Sequence, residues 1–208
     1  MSTITFFSDL NVGFLKQNNA LVPRTGSFYI DVVNDIAEGF GVYNDTTQPT
    51  ARQNTDTKHE YYFYLDGLPG PTERQILGVL VSADDLYNGY GIGMNFYMDA
   101  LLIPTISMFV TNINALGPTG LPFTHENDIT ALIPDHNVII SGWCKVVIEC
   151  YRNTAGYPKL TLYDKNGNLI TSQYIGMIVP DNDGKVGIYM YNTSGSNIAL
   201  DDWTVWEI

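Results

Sequence analysis

The stretch "GWCKVVIECY", residues 142–151, alternates between two kinds of side chain. Its even positions are small or apolar and include Cys144, Val146 and Ile148, whereas its odd positions include Trp143 and Lys145. Successive side chains of an extended strand point to opposite faces, so this period of two is typical of a β-strand with one buried face. The segment therefore predicts a sheet that covers a core on one side only.

The segments that follow repeat this pattern. In "KLTLYDKNGNLITSQY", residues 159–174, Leu160 and Leu162 are predicted to point inward, and Asn166–Gly167 is a hairpin turn signal. In "ALDDWTVWEI", residues 199–208, apolar side chains fall on both faces of the strand. We therefore expect this strand to be covered on both faces or to lie between the core and a neighbour, and to pair with the N-terminal region around Ile4–Phe14.

The rest of the chain is also predicted to consist mainly of β-strands. Strands are predicted at 27–33, 39–45, 60–67, 74–85, 86–98, 101–112 and 185–191. Surface loops are predicted at 44–59 and 115–128, and Asp128–Leu132 is the nearest candidate for a helical turn. With about a dozen strands and no linker, the chain is predicted to be all-β, a single antiparallel two-sheet β-sandwich spanning 1–208.

Composition and charge exclude several classes of protein. Hydrophobic residues make up 45% and charged residues 15%, which is typical of a globular chain. A formal charge of −12 with ten Lys and Arg argues against nucleic acid and against an anionic membrane surface. No apolar run approaches about 18 residues, so membrane insertion is not predicted. The first residues, "MSTITFFSDLNVG", show no secretory signal, which predicts a location in a virion or, before assembly, in the cytoplasm.

The two cysteines, Cys144 and Cys150, fall on one face of a single predicted strand. Six residues of strand separate their Cα atoms by roughly 20 Å. A disulfide needs Cα atoms within about 7 Å, so the two should not pair with each other. They are predicted to be buried free thiols.

Five segments, taken in order, carry a family resemblance: "LYNGYGIGMNF", "GWCKVVIECY", "KLTLYDKNGNLI", "GKVGIYMYN" and "ALDDWTVWEI". This order resembles the concanavalin A-like lectin/glucanase superfamily, including its laminin G-like members, over roughly residues 60–208. The resemblance implies a jelly roll of two antiparallel sheets, one of them curved. It also implies that sugars, where bound, lie on the concave face or at the loop edge, with calcium often near that edge.

The catalytic motif of the superfamily is incomplete in this chain. Retaining glucanases of the superfamily carry Glu-x-Asp-x-x-Glu on one strand, and their chemistry needs two carboxyl groups about 5 Å apart. Only "ENDITA" begins in this way, with Glu126 and Asp128, but Ala131 occupies the second Glu position. The segment also follows a loop rich in Pro and Gly. The chain is therefore predicted not to be an enzyme, and a divergent glycoside hydrolase is kept as an alternative.

No cofactor is required by the motifs, and calcium is the one metal considered. The best acidic pair is Asp201–Asp202, for which two interpretations stay open: calcium ligation, or a carboxylate that accepts backbone N–H bonds before the last strand. His59, His125 and His136 follow no metal-ligand spacing and are interpreted as ordinary loop histidines.

Outward aromatic side chains are the remaining functional signal. Rings on an open sheet face could stack on the C–H faces of sugars, with nearby Asn side chains supplying hydrogen bonds. The same rings could instead pack under a loop or against another subunit. The candidate residues are Tyr97, Trp143, Tyr151, Tyr163, Tyr189 and Tyr191, with Asn95 and Asn192 as the hydrogen-bonding partners.

The leading hypothesis is a non-enzymatic recognition module that binds glycan or attaches to a surface. Its acidity and its Tyr-, Asn- and Thr-rich composition would suit a bacteriophage virion protein that decorates a capsid or contacts the host. Its partner would then be a glycan, a cell-surface protein or a virion protein. The alternative from a different class is a structural virion or assembly subunit whose aromatic face is buried. A homo-oligomer is compatible with either hypothesis.

Overall fold

The period-two segments form strands in the computed structural model, which describes residues 3–6, 24, 30–32, 39–42, 56–83, 89–98, 101–113, 125–151, 156–176, 185–192 and 194–207. Single turns of 3-10 helix occur at Thr130–Leu132 and His136–Val138. The strands of these residues are β1 Thr3–Phe6, β2 Ile30–Val32, β3 Gly39–Val42, β4 Thr57–Leu65, β5 Arg74–Ala83, β6 Gly89–Met98, β7 Pro104–Ile113, β8 His125–Asp128, β9 Trp143–Cys150, β10 Lys159–Tyr163, β11 Leu169–Tyr174, β12 Lys185–Asn192 and β13 Ile198–Glu207.

These strands form two antiparallel sheets, which confirms the predicted β-sandwich. Sheet A has the order β1-β13-β4-β9-β10-β11, and β2 also pairs with β13. Sheet B has the order β3-β12-β5-β6-β7-β8. Among the described residues the only helical segments are the two 3-10 turns, as the scarcity of helical patterns predicted.

The core lies between the inward faces of the two sheets. Sheet A contributes Phe63 and Val146, and sheet B contributes Leu77 and Met94, all of them fully buried. In β6 the residues Ile92, Met94 and Phe96 point into this core, as their shared parity predicts. Burial of such side chains is the main stabilising term of a domain of this size, at about 1.5–3 kcal/mol for each large apolar side chain.

Strand β9 has the predicted orientation. Cys144, Val146, Ile148 and Cys150 are buried in the core, whereas Trp143 is only partly buried. Both cysteines are free and buried, which confirms the prediction drawn from their spacing. Burial raises the pKa of the Cys144 thiol to about 12, so this group is held as an unreactive thiol.

Strand β13 explains the apolar residues near the end of the sequence. Trp203 and Val205 point into the core, whereas Trp206 is partly exposed on the opposite face. On one side β13 pairs with β4, and on the other it pairs with β1, where Ile4 lies opposite Val205. The predicted pairing of this strand with the N-terminal region is thus confirmed over Thr3–Phe6.

Two predicted loops were drawn too long. The loop predicted at 44–59 overlaps the start of β4, and the loop predicted at 115–128 contains β8. His59 is therefore not a loop residue: it is fully buried and stacks on Trp203, with ring centroids 6.2 Å apart. The start of β4 could not be recognised from hydrophobicity, because its buried residues Thr57 and His59 are polar. Their side chains form a hydrogen bond with each other, which allows them to be buried.

Candidate functional site

The outer face of sheet A carries a group of partly exposed rings. Alternation along β4 turns Tyr61 and Phe63 into the core, so that Tyr62 and Tyr64 point outward. The same alternation turns Trp143 outward on β9 and Tyr163 outward on β10. We call this surface the aromatic face, and its rings are Tyr62, Tyr64, Trp143, Tyr163, Tyr174 and Trp206.

Strand register brings these rings together. Tyr64 lies opposite Trp143 across the β4–β9 pair, and their ring centroids are 5.6 Å apart with the planes tilted by 60°. Two residues after Trp143, on the same face of β9, Lys145 lies between Tyr62 on β4 and Tyr163 on β10. Adjacent strands are about 4.8 Å apart, so Tyr62 and Tyr163 lie roughly 10 Å apart on either side of this lysine.

Charged side chains connect the same strands. Lys145 forms an ion pair with Glu60 at 3.9 Å, and Lys159 forms one with Glu149 at 3.4 Å. All four side chains are partly exposed, and such pairs contribute little to stability, about 0–1 kcal/mol each. These cations and carboxylates can therefore exchange their present partners for a ligand at low cost.

Asp201 and Asp202 form a bulge at one border of the aromatic face. The register of β13 against β4 shifts between Asp201 and Thr204, and Asp202 has a positive φ of 51°. The Asp201 carboxylate is buried and accepts hydrogen bonds from the backbone N–H groups of Arg24 and Asp202, each at 2.8 Å. The guanidinium of Arg24 pairs with the Asp202 carboxylate.

This arrangement bears on the calcium prediction. Arg24 already supplies a cation to the pair Asp201–Asp202, and the described residues contain no group of three or more His, Cys, Asp or Glu side chains that could hold a metal ion. Calcium prefers six to eight oxygen ligands. The described residues around this pair do not fit a calcium site. Asp201 accepts backbone N–H bonds, as the other interpretation holds, but it does so from within β13 and not before it.

Of the other sugar-contact candidates, Tyr151 is partly exposed and directly follows β9 of sheet A, whereas the rest lie on sheet B and not beside Trp143. Tyr97 and Asn95 belong to β6, and Tyr189, Tyr191 and Asn192 belong to β12. Tyr189 pairs with Gly78 of β5 and with Phe40 of β3, so it cannot join Tyr163 in one cluster. The sequence could not separate the two groups because outward parity is the same on both sheets.

Asn192 has a local structural role. It is buried on the inward side of β12, and its side-chain oxygen accepts a hydrogen bond from Ser194 N at 2.8 Å. Its side-chain NH₂ donates to the Ser196 carbonyl at 2.9 Å. These bonds close the turn between β12 and β13.

Sheet B carries a polar cluster centred on Glu126. Strand β8 pairs with β7, so Glu126 and Asp128 lie in a strand and not in the loop predicted at 115–128. The exposed carboxylate of Glu126 accepts hydrogen bonds from the Asn95 side chain at 2.8 Å and from the Ser107 hydroxyl. Asn95 is fully buried, and its Oδ1 has no hydrogen-bond partner among the described residues. The sequence analysis had named Glu126, Asp128 and Asn95 separately, but nothing in the sequence brought them together.

Tyr97 lies at the edge of the Glu126 cluster. Its ring is partly exposed, and the guanidinium carbon of Arg74 lies 5.1 Å from its centroid. Burial and then the negative charge of Glu126 raise the pKa of the Tyr97 hydroxyl, which therefore stays protonated over a wide pH range.

Solved structures that are similar to this chain include lectin domains and an alginate lyase. The exoplasmic/lumenal domain of VIP36, solved with Ca²⁺ and Man3GlcNAc bound, has 12% identity and a TM-score of 0.51, over 86% of this chain and 78% of that chain. A legume lectin-like domain from Entamoeba histolytica has 10% identity and a TM-score of 0.49, over 86% and 84%. The alginate lyase Aly36B has 11% identity and a TM-score of 0.48, over 86% and 81%.

The likeness to the VIP36 domain confirms the fold that the sequence resemblance implied, a concanavalin A-like jelly roll. At this level of identity it shows the fold alone. No protein-family model and no curated protein matches the chain. In the part of the chain that the structure describes, no helix has the length and apolar character needed to cross a bilayer.

Proposed function

We propose that this chain, a concanavalin A-like β-sandwich, is a non-enzymatic module that recognises glycans through the aromatic face of sheet A. The observation that carries the proposal is the register of Tyr64 with Trp143 and of Tyr62 and Tyr163 with Lys145. This register places partly exposed aromatic rings together on one sheet face, and such a cluster is uncommon on a surface without a binding partner. Rings of this kind stack on the apolar C–H faces of sugars, and the neighbouring charged groups bond sugar hydroxyls.

The VIP36 domain, which was solved with Man3GlcNAc bound, agrees with this class of function. A virion setting, on a bacteriophage capsid or at its contact with the host, is the second part of the proposal. Its support is the composition of the chain, which is acidic and rich in Tyr, Asn and Thr.

The test is a glycan array followed by titration of the strongest binder with two matched variants. Trp143→Ala removes a ring of the aromatic face, and Tyr97→Ala removes a partly exposed ring of sheet B. We expect Trp143→Ala to weaken binding about tenfold or more, because a lost aromatic contact costs about 0.5–1.5 kcal/mol beyond the buried area. Its free energy of unfolding should change by less than about 1 kcal/mol, since the ring is partly exposed.

Three results would contradict the proposal. If no glycan binds, the recognition function fails, and a structural subunit with a buried aromatic face becomes the better account. If Tyr97→Ala abolishes binding and Trp143→Ala does not, the ligand binds on sheet B. If Trp143→Ala lowers the free energy of unfolding by about 3–5 kcal/mol, as loss of a core aromatic does, Trp143 is structural.

One observation favours a second candidate function, glycoside hydrolysis. Glu126 and Asp128 are exposed and alternate on β8, so they share one face with Cα atoms about 7 Å apart. Inverting glycosidases hold their two carboxyl groups roughly 6.5–9.5 Å apart, which two side chains on one face of a strand can span. However, Glu126 is held by Asn95 and Ser107, and Asp128 accepts a hydrogen bond from Thr130 N at 2.8 Å. Release of reducing sugar that Glu126→Gln abolishes would establish hydrolysis and end the non-enzymatic proposal.

A further inference from the structure

Cationic side chains are concentrated on the aromatic face, and each of them lies against a ring. The contacts, measured from the cationic atom to the ring centroid, are Arg24 over Tyr62 at 3.5 Å, Lys145 over Tyr163 at 4.5 Å, Lys58 over Trp206 at 5.2 Å and Lys159 over Tyr174 at 6.0 Å. A cation over a ring face holds its positive charge at the surface of the ring, where an anionic group of a ligand can reach it.

This concentration stands out in a strongly acidic chain. The whole sequence has ten Lys and Arg against 22 Asp and Glu. Among the described residues, the four cations above share the aromatic face with the partly exposed carboxylates of Glu60, Glu149 and Asp202 and, at its border beside Tyr151, with that of Asp56. The charge on this face is therefore close to balanced, whereas the remainder of the chain is heavily negative.

Lys58 is the cation best placed for a ligand. Its neighbour across the β4–β9 pair is Glu149, but that carboxylate pairs with Lys159 instead. Among the described residues, no carboxylate lies within ion-pair distance of Lys58, which contacts the Trp206 ring. Its positive charge is therefore available to an incoming anion.

The rings also set the size of the ligand. Tyr62 and Tyr163 lie roughly 10 Å apart with Lys145 between them, a span wider than one sugar ring. A ligand that touches both must contain linked sugars and must cross the strands β4, β9 and β10. An anionic group in the middle of such a ligand would meet the ammonium of Lys145.

We infer that the aromatic face takes an acidic polysaccharide, one whose sugars carry carboxylate or sulfate groups. This inference rests on the proposed function and narrows its ligand class. The sugars contact the aromatic side chains of this face, and the anionic groups bind Lys58 and Lys145, which lie over the Trp206 and Tyr163 rings. The surface ion pairs of this face, which contribute little to stability, give way to the ligand.

The experiment is calorimetric titration near physiological ionic strength with matched pairs of polymers. Polygalacturonate is compared with its fully methyl-esterified form, which has the same backbone without the charge, and dextran sulfate is compared with dextran. The variants are Lys58→Gln and Lys145→Gln. The control variant, Lys165→Gln, removes the same charge from an exposed side chain in the turn after β10.

We expect at least one acidic polymer to bind about tenfold or more tightly than its neutral partner, and its binding to weaken as salt screens the charges. Lys58→Gln and Lys145→Gln should each weaken that binding about three- to tenfold, while Lys165→Gln leaves it unchanged. If polygalacturonate shows this difference, the anionic group that binds is a carboxylate. If dextran sulfate shows it, the group is a sulfate.

Equal binding of charged and neutral polymers would overturn the inference and leave the proposed function standing. Absence of binding to any glycan, on the array or in titration, would overturn both. If sedimentation shows that the chain self-associates and that Lys58→Gln abolishes this, the face is an interface between two copies and the inference is also wrong.

Discussion

Asp164 organises the turn between β10 and β11 through its carboxylate. Its Oδ1 accepts hydrogen bonds from the backbone N–H groups of Asn166 and Asn168, each at 2.8 Å, and its Oδ2 accepts one from the Asn168 side chain at 2.9 Å. Gly167 follows with a φ of +83°, a conformation that a side chain would strain. The sequence predicted the turn at Asn166–Gly167, but it did not predict the role of Asp164. A carboxylate before a turn cannot be distinguished in a sequence from an ordinary charged side chain that faces solvent.

These bonds predict a pH dependence. Burial alone would raise the pKa of Asp164, but the hydrogen bonds from Asn168 and Asn166 outweigh it, so that the pKa lies below its ordinary value of 3.8. A group whose pKa is lowered on folding stabilises the fold fully above its unfolded pKa, and this stabilisation is lost as pH falls through the folded value.

Asp164→Asn should therefore lower the free energy of unfolding at pH 7 by about 1–3 kcal/mol, the typical worth of hydrogen bonds to a charged group. Urea unfolding of both proteins at several pH values measures the difference, which should shrink below about pH 4. A difference that stays constant or grows as pH falls would refute this role of Asp164.

Strands β5 and β6 approach each other closely where two glycines face. Gly78 lies opposite Gly93. A Cβ added to Gly78 would lie 2.9 Å from the Gly93 Cα and still closer to the carbonyl oxygen of Ile92, and a Cβ on Gly93 would meet the carbonyl oxygen of Leu77. The backbone leaves no room for a methyl group at either position.

Gly78→Ala should therefore lower the free energy of unfolding by about 1–3 kcal/mol through overpacking. Gly195→Ala is the matched control, since a Cβ at Gly195 meets nothing within 4 Å, and its effect should stay within about 0.5 kcal/mol. Denaturant unfolding of the two variants gives the comparison. Equal effects would mean that the close approach of β5 and β6 does not constrain the fold.

The strands themselves were predicted well where one face is apolar and poorly where it is polar. Leu160 and Leu162 of β10 point inward as their period indicates, and Cys144 and Val146 of β9 do the same. Strand β8 was missed because "HEND" carries no apolar residue, so nothing in its composition distinguishes it from a loop. The strand is stabilised by its pairing with β7, which cannot be inferred from its side chains.

The whole molecule depends on which strands share a sheet, and this lies beyond a single sequence. Trp143, Tyr163 and Tyr189 have the same outward parity, yet Tyr189 belongs to sheet B. Long-range pairings, such as that of β12 with β5 and of β13 with β4, decide which strands belong to which sheet. No local sequence pattern encodes these pairings. For the same reason Tyr62 and Tyr64 were missed as site residues, although their alternation with Tyr61 and Phe63 was there to be seen.

The central claim is that a glycan binds to the aromatic face of sheet A, and hydroxyl-radical footprinting of the complex tests it most directly. Oxidation of each aromatic side chain is quantified by mass spectrometry with and without the bound glycan. We expect the glycan to protect Tyr64, Trp143 and Tyr163 from oxidation, with unchanged oxidation of Tyr97 and Tyr191 on sheet B. Protection of Tyr97 with no change at Trp143 would contradict the claim.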